Sequence, residues 1–177
     1  GRRLFVVTAN PEILMHAGDS PEIRALLLDE ETAVVPDGIS VVKAMRLLGL
    51  PAKERITGVD LAEQLLKLAG QQGKSVYLLG AKEEVVSALA QKLKAQYPQM
   101  EIHYKNGYGK DKDADFREIE TLQPDLVLVA LGVPAQEKLI ARHLERFSKG
   151  VFIGVGGSFD VLSGSKRRAP AVFVKTN

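Results

Sequence analysis

Residues 76–79, 126–131 and 151–155 are apolar at nearly every position instead of at every second one. An unbroken apolar run this short, rich in Val, Leu and Ile, belongs to a strand covered on both faces, as in a parallel sheet with a helical layer on either side. Three further β-branched runs, 4–8, 33–35 and 101–104, complete a set of six predicted strands. Between them lie helical stripes. Residues 39–48 carry Val41, Val42, Met45 and Leu48; 60–69 carry Leu61, Leu65 and Leu68; 85–97 carry Leu89 and Leu93; 136–147 carry Leu139, Ile140 and Leu144. Strands alternating with helices of this length predict an α/β fold, a Rossmann-like, mainly parallel sheet flanked by helices. No repeat, low-complexity tract or linker divides the 177 residues, so 1–177 reads as a single domain. A domain of that size buries about 70% of its unfolded surface and needs no covalent staple.

Composition removes several functions. The chain has no Cys, which excludes disulfides, thiolate metal sites and cysteine nucleophiles, and fits a reducing compartment. A net charge of +2, no Trp and 6% aromatic residues argue against a nucleic-acid binder. The longest apolar run, 126–135, is half a bilayer crossing and is broken by Gly132 and Pro134. The N-terminal residues enter apolar sequence without a signal-peptide pattern. A soluble intracellular domain is the expectation. There is no Walker loop, nucleophile elbow or HExxH motif.

In parallel α/β sheets, ligands bind beyond the carboxyl ends of the strands. All six predicted exits carry small or polar residues, which reads as one long cleft. Thr8 and Asn10 follow the first strand and can orient a substrate hydroxyl, with Asn10 also suited to cap a helix starting at Pro11. Asp37, between Pro36 and Gly38, reads either as the cap of a helix beginning near Ile39 or as a general base. Gly80 and Ala81 follow the third strand, and Gly107 and Tyr108 the fourth. The turns at Gly132 and Gly156 can offer backbone N–H groups to an anion or can simply be tight turns. The segment around Gly154, Gly156 and Ser158 lacks the third glycine of the dinucleotide fingerprint and comes late in the chain, so a nicotinamide enzyme is disfavoured. Asp111, Asp113 and Asp115 form two overlapping Asp-x-Asp patterns, which read better as an acidic helix start than as a metal site. Lys166, Arg167 and Arg168, with Arg55, can neutralise phosphates or form a solvated basic turn. His143 reads as a surface or satisfied core histidine.

Taken together, the segments at 8–13, 35–38, 54–60, 79–81, 106–108, 131–138, 154–160, 163–164 and 167–170 closely resemble the WecG/TagA/CpsF glycosyltransferases, in order and spacing over nearly the whole chain. The resemblance implies transfer of an N-acetylmannosamine-type sugar from a UDP-sugar donor to a polyprenyl-diphosphate-linked N-acetylglucosamine. Such transfer takes place on the cytoplasmic membrane face, as in wall teichoic acid synthesis by TagA-type members. Related members use other hexoses for enterobacterial common antigen, capsule or exopolysaccharide. It implies inversion at the anomeric centre with no metal and no other cofactor. Carried over by motif, Thr8 and Asp37 face the acceptor hydroxyl, Asp37 as general base, while Arg55, Gln136 and Asp160 contact donor or acceptor.

Relatives in this family usually have a further strand–helix segment before the point where this chain starts, and a basic, aromatic C-terminal appendage after the Arg-Ala-Pro segment. That appendage is expected to bind the membrane and bring an arginine over the donor phosphates. The chain therefore reads as a shortened form, expected to fold and bind UDP yet catalyse poorly. Apolar surface left uncovered is compatible with a homo-oligomer. Two other classes remain in view. A Rossmann-like dehydrogenase or methyltransferase needs a glycine loop after the first strand, which Thr8-Ala9-Asn10-Pro11 does not supply. A non-catalytic nucleotide-sugar or lipid-phosphate binding module is the third.

Overall fold

The computed structural model describes residues 2–49, 51 and 56–167. Arg55 and Arg168 lie outside the described residues. Six strands form one all-parallel sheet: β1 (Arg3–Ala9), β2 (Thr32–Pro36), β3 (Ser75–Gly80), β4 (Glu101–Lys105), β5 (Leu126–Ala130) and β6 (Gly150–Gly154). Their order across the sheet is β2-β1-β6-β5-β3-β4. The three strands with continuous apolar sequence, β3, β5 and β6, are interior ones, and the edges are β2 and β4.

Alternation explains why the interior strands are apolar throughout. Val76, Leu78, Leu126, Leu128 and Ile153 join one core with α4 (Gly58–Gln71), α5 (Glu83–Gln96) and the short α8 (Ser158–Leu162). Tyr77, Leu79, Val127, Val129 and Phe152 join a second core with α1 (Pro11–Asp19), α2 (Pro21–Leu28), α6 (Lys112–Leu122) and α7 (Ala135–His143). Each residue step along these strands crosses the sheet, so both faces demand apolar side chains. The remaining helix, α3 (Ile39–Leu47), follows β2 and buries Val41 and Val42.

Local signals set most boundaries. Asn10 caps α1, its side-chain oxygen accepting from Ile13 N–H at 2.9 Å. Ser20 caps α2 in the same way, with Pro21 opening the helix. Asp111 caps α6, accepting from Ala114 N–H at 2.8 Å. The periodic stretch 136–147 divides into α7 and a single 3₁₀ turn, Leu144–Arg146.

At the amino end of the sheet, Asp125 accepts two hydrogen bonds from Ser75, from N–H and Oγ at 3.0 Å each, and one from Lys149 Nζ at 2.8 Å. Lys149 first, then Ser75, hold its carboxyl down at about 2 against the opposing effect of burial. A carboxyl depressed in the folded state stabilises above its unfolded value, near 3.9, and that contribution is lost as pH falls towards 2. Asp125→Asn is expected to cost about 1–2 kcal/mol at pH 7 and to flatten the acid limb of stability between about pH 5 and 2. Chemical denaturation across that pH range checks it. Equal acid limbs in the two proteins would refute it.

Candidate active site

A cavity of about 540 Å³ opens beyond the carboxyl ends of β1, β2, β5 and β6. Its lining includes Thr8, Asn10 and Glu12 from the β1–α1 junction, Asp37 from the β2 exit, and Thr57, Gly58 and Val59 from the start of α4. Gly132, Val133 and Gln136 come from the β5 exit; residues 154–158 and Val161 come from the β6 exit and α8. The insertion of β6 between β1 and β5 brings these distant segments together.

Asp37 is placed by the ladder between β1 and β2. Ala9 pairs with Pro36, and Asp37 N–H continues the pairing one residue further, donating to Ala9 C=O at 3.0 Å. The carboxylate does not cap α3, whose cap residue is Gly38 with no side-chain cap bond. Instead Oδ2 accepts the N–H of Gly58 at 3.1 Å, at the first turn of α4. Helix amino termini favour negative charge, so α4 steadies the ionised form from 21 residues away in sequence. Thr57 caps α4, accepting from Asp60 N–H at 3.1 Å while donating its own proton to Asp60 Oδ2 at 2.6 Å.

Three side-chain oxygens converge beside the Cα of Gly58. A Cβ there would stand 3.7 Å from Asp37 Oδ2, 3.8 Å from Thr8 Oγ1 and 3.9 Å from Ser158 Oγ. Thr8 and Ser158 are buried, and Ser158 Oγ donates to Val155 C=O at 2.6 Å. A carboxylate flanked by two hydroxyls is suited to receive a proton from an alcohol held among them.

Gln136 lines the cavity and also ties its wall together. Its side-chain oxygen accepts from Gly132 N–H at 3.2 Å and from Gly156 N–H at 3.1 Å, clamping the β5 and β6 exits together. Its amide nitrogen donates to Glu137 Oε1 at 2.8 Å. Both side chains are 2% exposed. Burial pushes the Glu137 carboxyl above its ordinary range, partly offset by the Gln136 amide. The N–H groups of Gly132 and Gly156, expected as anion donors, are thus already committed within the protein. The Gln136 oxygen holds the two turns, and one of its two amide N–H groups holds Glu137.

Gly80, Ala81, Gly107 and Tyr108 are not brought into this cavity. The β3 and β4 exits pack on each other: Gly107 N–H donates to Ala81 C=O at 2.8 Å, and Ala81 N–H to Ala130 C=O at 3.1 Å. At Gly80 the φ is +123° and a Cβ would stand 2.3 Å from Ala130 C=O, so packing demands glycine there. Tyr108 is exposed. The expected single cleft is therefore a pocket over β2-β1-β6-β5 and a packed ledge over β3-β4. Asp160, one turn into α8, lies 3.6 Å from Lys166 Nζ, and its carbonyl accepts from Lys166 N–H at 2.8 Å. Arg167 follows, exposed.

The overlapping Asp-x-Asp patterns are occupied with structure. Asp111 caps α6; Asp113 pairs with Arg142 at 3.1 Å and His143 at 2.6 Å; Asp115 is buried 3.0 Å from Lys105. His143 is buried against Phe116, their ring centroids 5.0 Å apart. Among the described residues, no group of three or more His, Asp or Glu side chains is arranged to hold a metal ion.

Glu12, Thr57, Gly58, Val59 and Ser158 have no individual role legible in the sequence. All line the cavity. The available signal was that Thr57, Gly58 and Val59 lie in the 54–60 segment, and Ser158 in the 154–160 segment.

The family model for the glycosyl transferase WecG/TagA/CpsF family matches residues 1–177. The chain belongs to the WecG/TagA/CpsF family of glycosyltransferases. Among curated relatives, an N-acetylglucosaminyldiphosphoundecaprenol N-acetyl-beta-D-mannosaminyltransferase of Bacillus spizizenii is 41% identical over 172 residues, 97% of this chain and 66% of the relative. A Staphylococcus aureus protein of the same name is 38% identical over 175 residues, 98% of this chain and 68% of the relative. The chain thus spans about two thirds of the length of these glycosyltransferases.

Proposed function

We propose that this WecG/TagA/CpsF chain carries the catalytic site of an inverting transferase that moves N-acetylmannosamine from UDP-N-acetylmannosamine to undecaprenyl-diphosphate-linked N-acetylglucosamine. The product would serve wall teichoic acid or a related surface polymer. The observation that carries the reading is the convergence of Asp37, Thr8 and Ser158 on one point in the pocket. The relatives' shared name supports the acceptor and the sugar.

In this reading the acceptor hydroxyl lies among those oxygens and gives its proton to Asp37. Its oxygen forms the new bond to the anomeric carbon as the bond from that carbon to the UDP oxygen breaks. The bonding pair leaves with the diphosphate. The reaction parallels inverting glycoside hydrolysis, with the acceptor hydroxyl in place of water. Charge on the leaving diphosphate is met by fixed donors. Because Gly132 and Gly156 are committed to Gln136, the proposed supply is the arginines at 55, 167 and 168. Divalent metal is not required in this scheme, since Asp111, Asp113 and Asp115 are engaged in a helix cap and ion pairs. No described helix is long and apolar enough to cross a membrane. In this reading the protein reaches its lipid-linked acceptor by peripheral attachment at the inner membrane face.

The test is direct transfer by the full-length polypeptide, with UDP-N-acetylmannosamine, a short-chain lipid-diphosphate N-acetylglucosamine and excess chelator. The expected product is the disaccharide-lipid with inverted configuration, formed at the same rate with and without chelator. Faster transfer from another UDP-hexose would reassign the donor. Saturable UDP binding without any transfer would reduce the domain to a binding module.

A further inference from the structure

Gly58 opens α4, yet its backbone is not in the left-handed region that calls for glycine. Nor is the site crowded. A Cβ added there would make only ordinary contacts, at 3.7 to 3.9 Å, with Asp37 Oδ2, Thr8 Oγ1 and Ser158 Oγ. Alanine at this position would keep the N–H that donates to Asp37 at 3.1 Å and would favour the helix, since glycine costs up to about 1 kcal/mol in helical conformation. Neither strain nor packing among the described residues explains the absence of a side chain.

The bare Cα does leave a notch about one methyl group across, framed by oxygens from three separate elements. Asp37 comes from the β2 exit, Thr8 from β1 and Ser158 from the start of α8. A space bounded by a carboxylate and two hydroxyl oxygens suits a polar atom better than a methyl group, because a methyl would desolvate the carboxylate and return no hydrogen bond. The Ser158 proton is committed to Val155, so towards the notch that oxygen offers lone pairs alone. A guest that donates one proton while accepting from Thr8 fits the frame. An alcohol is such a guest.

We infer that Gly58 is a specificity-determining position: its missing side chain forms the notch that admits the acceptor's attacking hydroxyl to Asp37. The inference rests on the reading of Asp37 as general base. The notch takes a hydroxyl and excludes an acetamido or phosphate group, so it selects which substituent of the acceptor sugar meets the base.

The experiment compares Gly58→Ala, Gly58→Val and Asp37→Asn with the parent full-length polypeptide. Melting temperature, UDP affinity by calorimetry and steady-state transfer with the acceptor varied are measured. Gly58→Ala is expected to melt no lower than the parent and to bind UDP within about twofold, while kcat/KM for the acceptor falls at least about thirtyfold. Gly58→Val is expected to fall further. Three results overturn the inference: acceptor kcat/KM within threefold of the parent, UDP affinity falling as much as transfer, or failure of Gly58→Ala to fold. Transfer lost in Asp37→Asn but intact in Gly58→Ala sinks the notch alone. Transfer surviving in Asp37→Asn sinks the base reading and the notch with it.

Discussion

Replacing Asp37 by Asn is expected to leave a folded, UDP-binding protein whose transfer rate is lower by roughly a hundredfold to ten-thousandfold, the range that a positioned general base contributes. The substitution is nearly isosteric. The Asn oxygen can still accept from Gly58 N–H, so the local geometry at the start of α4 should survive. What is lost is the capacity to take the proton as the acceptor oxygen forms its bond. That loss belongs to the chemical step, so it should appear in kcat and kcat/KM together, with UDP affinity unchanged. The acid limb of the rate profile, set by protonation of the base, should disappear in the variant. Among the described residues Glu12 is the other carboxylate in the cavity lining, and it provides the internal control. If Glu12→Gln removes the acid limb and Asp37→Asn does not, the two roles must be exchanged.

How much of this was legible beforehand depends on the range over which each feature is determined. The interior strands are readable because burial on two faces leaves a mark at every residue, as at Val76, Leu78, Val127 and Val129, and the half-buried edges β2 and β4 show by their β-branched and aromatic residues. The helix α2 is missed by periodicity because only Ile23 is buried, although Ser20 and Pro21 announce its start. Thr8 and Asp37, which line the cavity, are legible because they stand at the carboxyl ends of β1 and β2. Ser158 and Gly58 are not, since their meeting depends on β6 lying between β1 and β5, and strand order leaves no local trace. Glycine misleads in the opposite direction. Gly80 and Gly107 look like ligand-facing glycines, but the contact of Gly80 with Ala130 and the bond from Gly107 to Ala81 show that they let two strand exits pack. Gln136 is similar. Its motif position is on the cavity, and most of its hydrogen-bonding capacity goes to Gly132, Gly156 and Glu137.

That clamp makes Gly154, the last residue of β6, intolerant of a side chain. A Cβ at 154 would stand 2.6 Å from Gln136 Nε2, 2.7 Å from Glu137 Oε1 and 2.8 Å from Gln136 Cδ. Side-chain ends can usually move aside, but these two are 2% exposed and bonded to each other, and Gln136 is bonded to both glycine turns. Displacing Gln136 strands the half-buried N–H groups of Gly132 and Gly156, at about 0.5–1.5 kcal/mol for each lost bond. Overpacking adds about 1–3 kcal/mol. Gly154→Ala is therefore expected to destabilise by about 3 kcal/mol or more, lowering the melting temperature by roughly 10 °C for a domain of this size. Transfer should fall with it, because the β5 and β6 exits form one wall of the cavity. A double-mutant cycle identifies the cause. Gln136→Ala alone strands the same two N–H groups, and Gly154→Ala on that background meets less side chain. The two penalties should therefore sum to clearly more than the double variant shows. Strict additivity would mean that the damage from Gly154→Ala arises elsewhere in β6, and that the Gln136 clamp tolerates the intrusion.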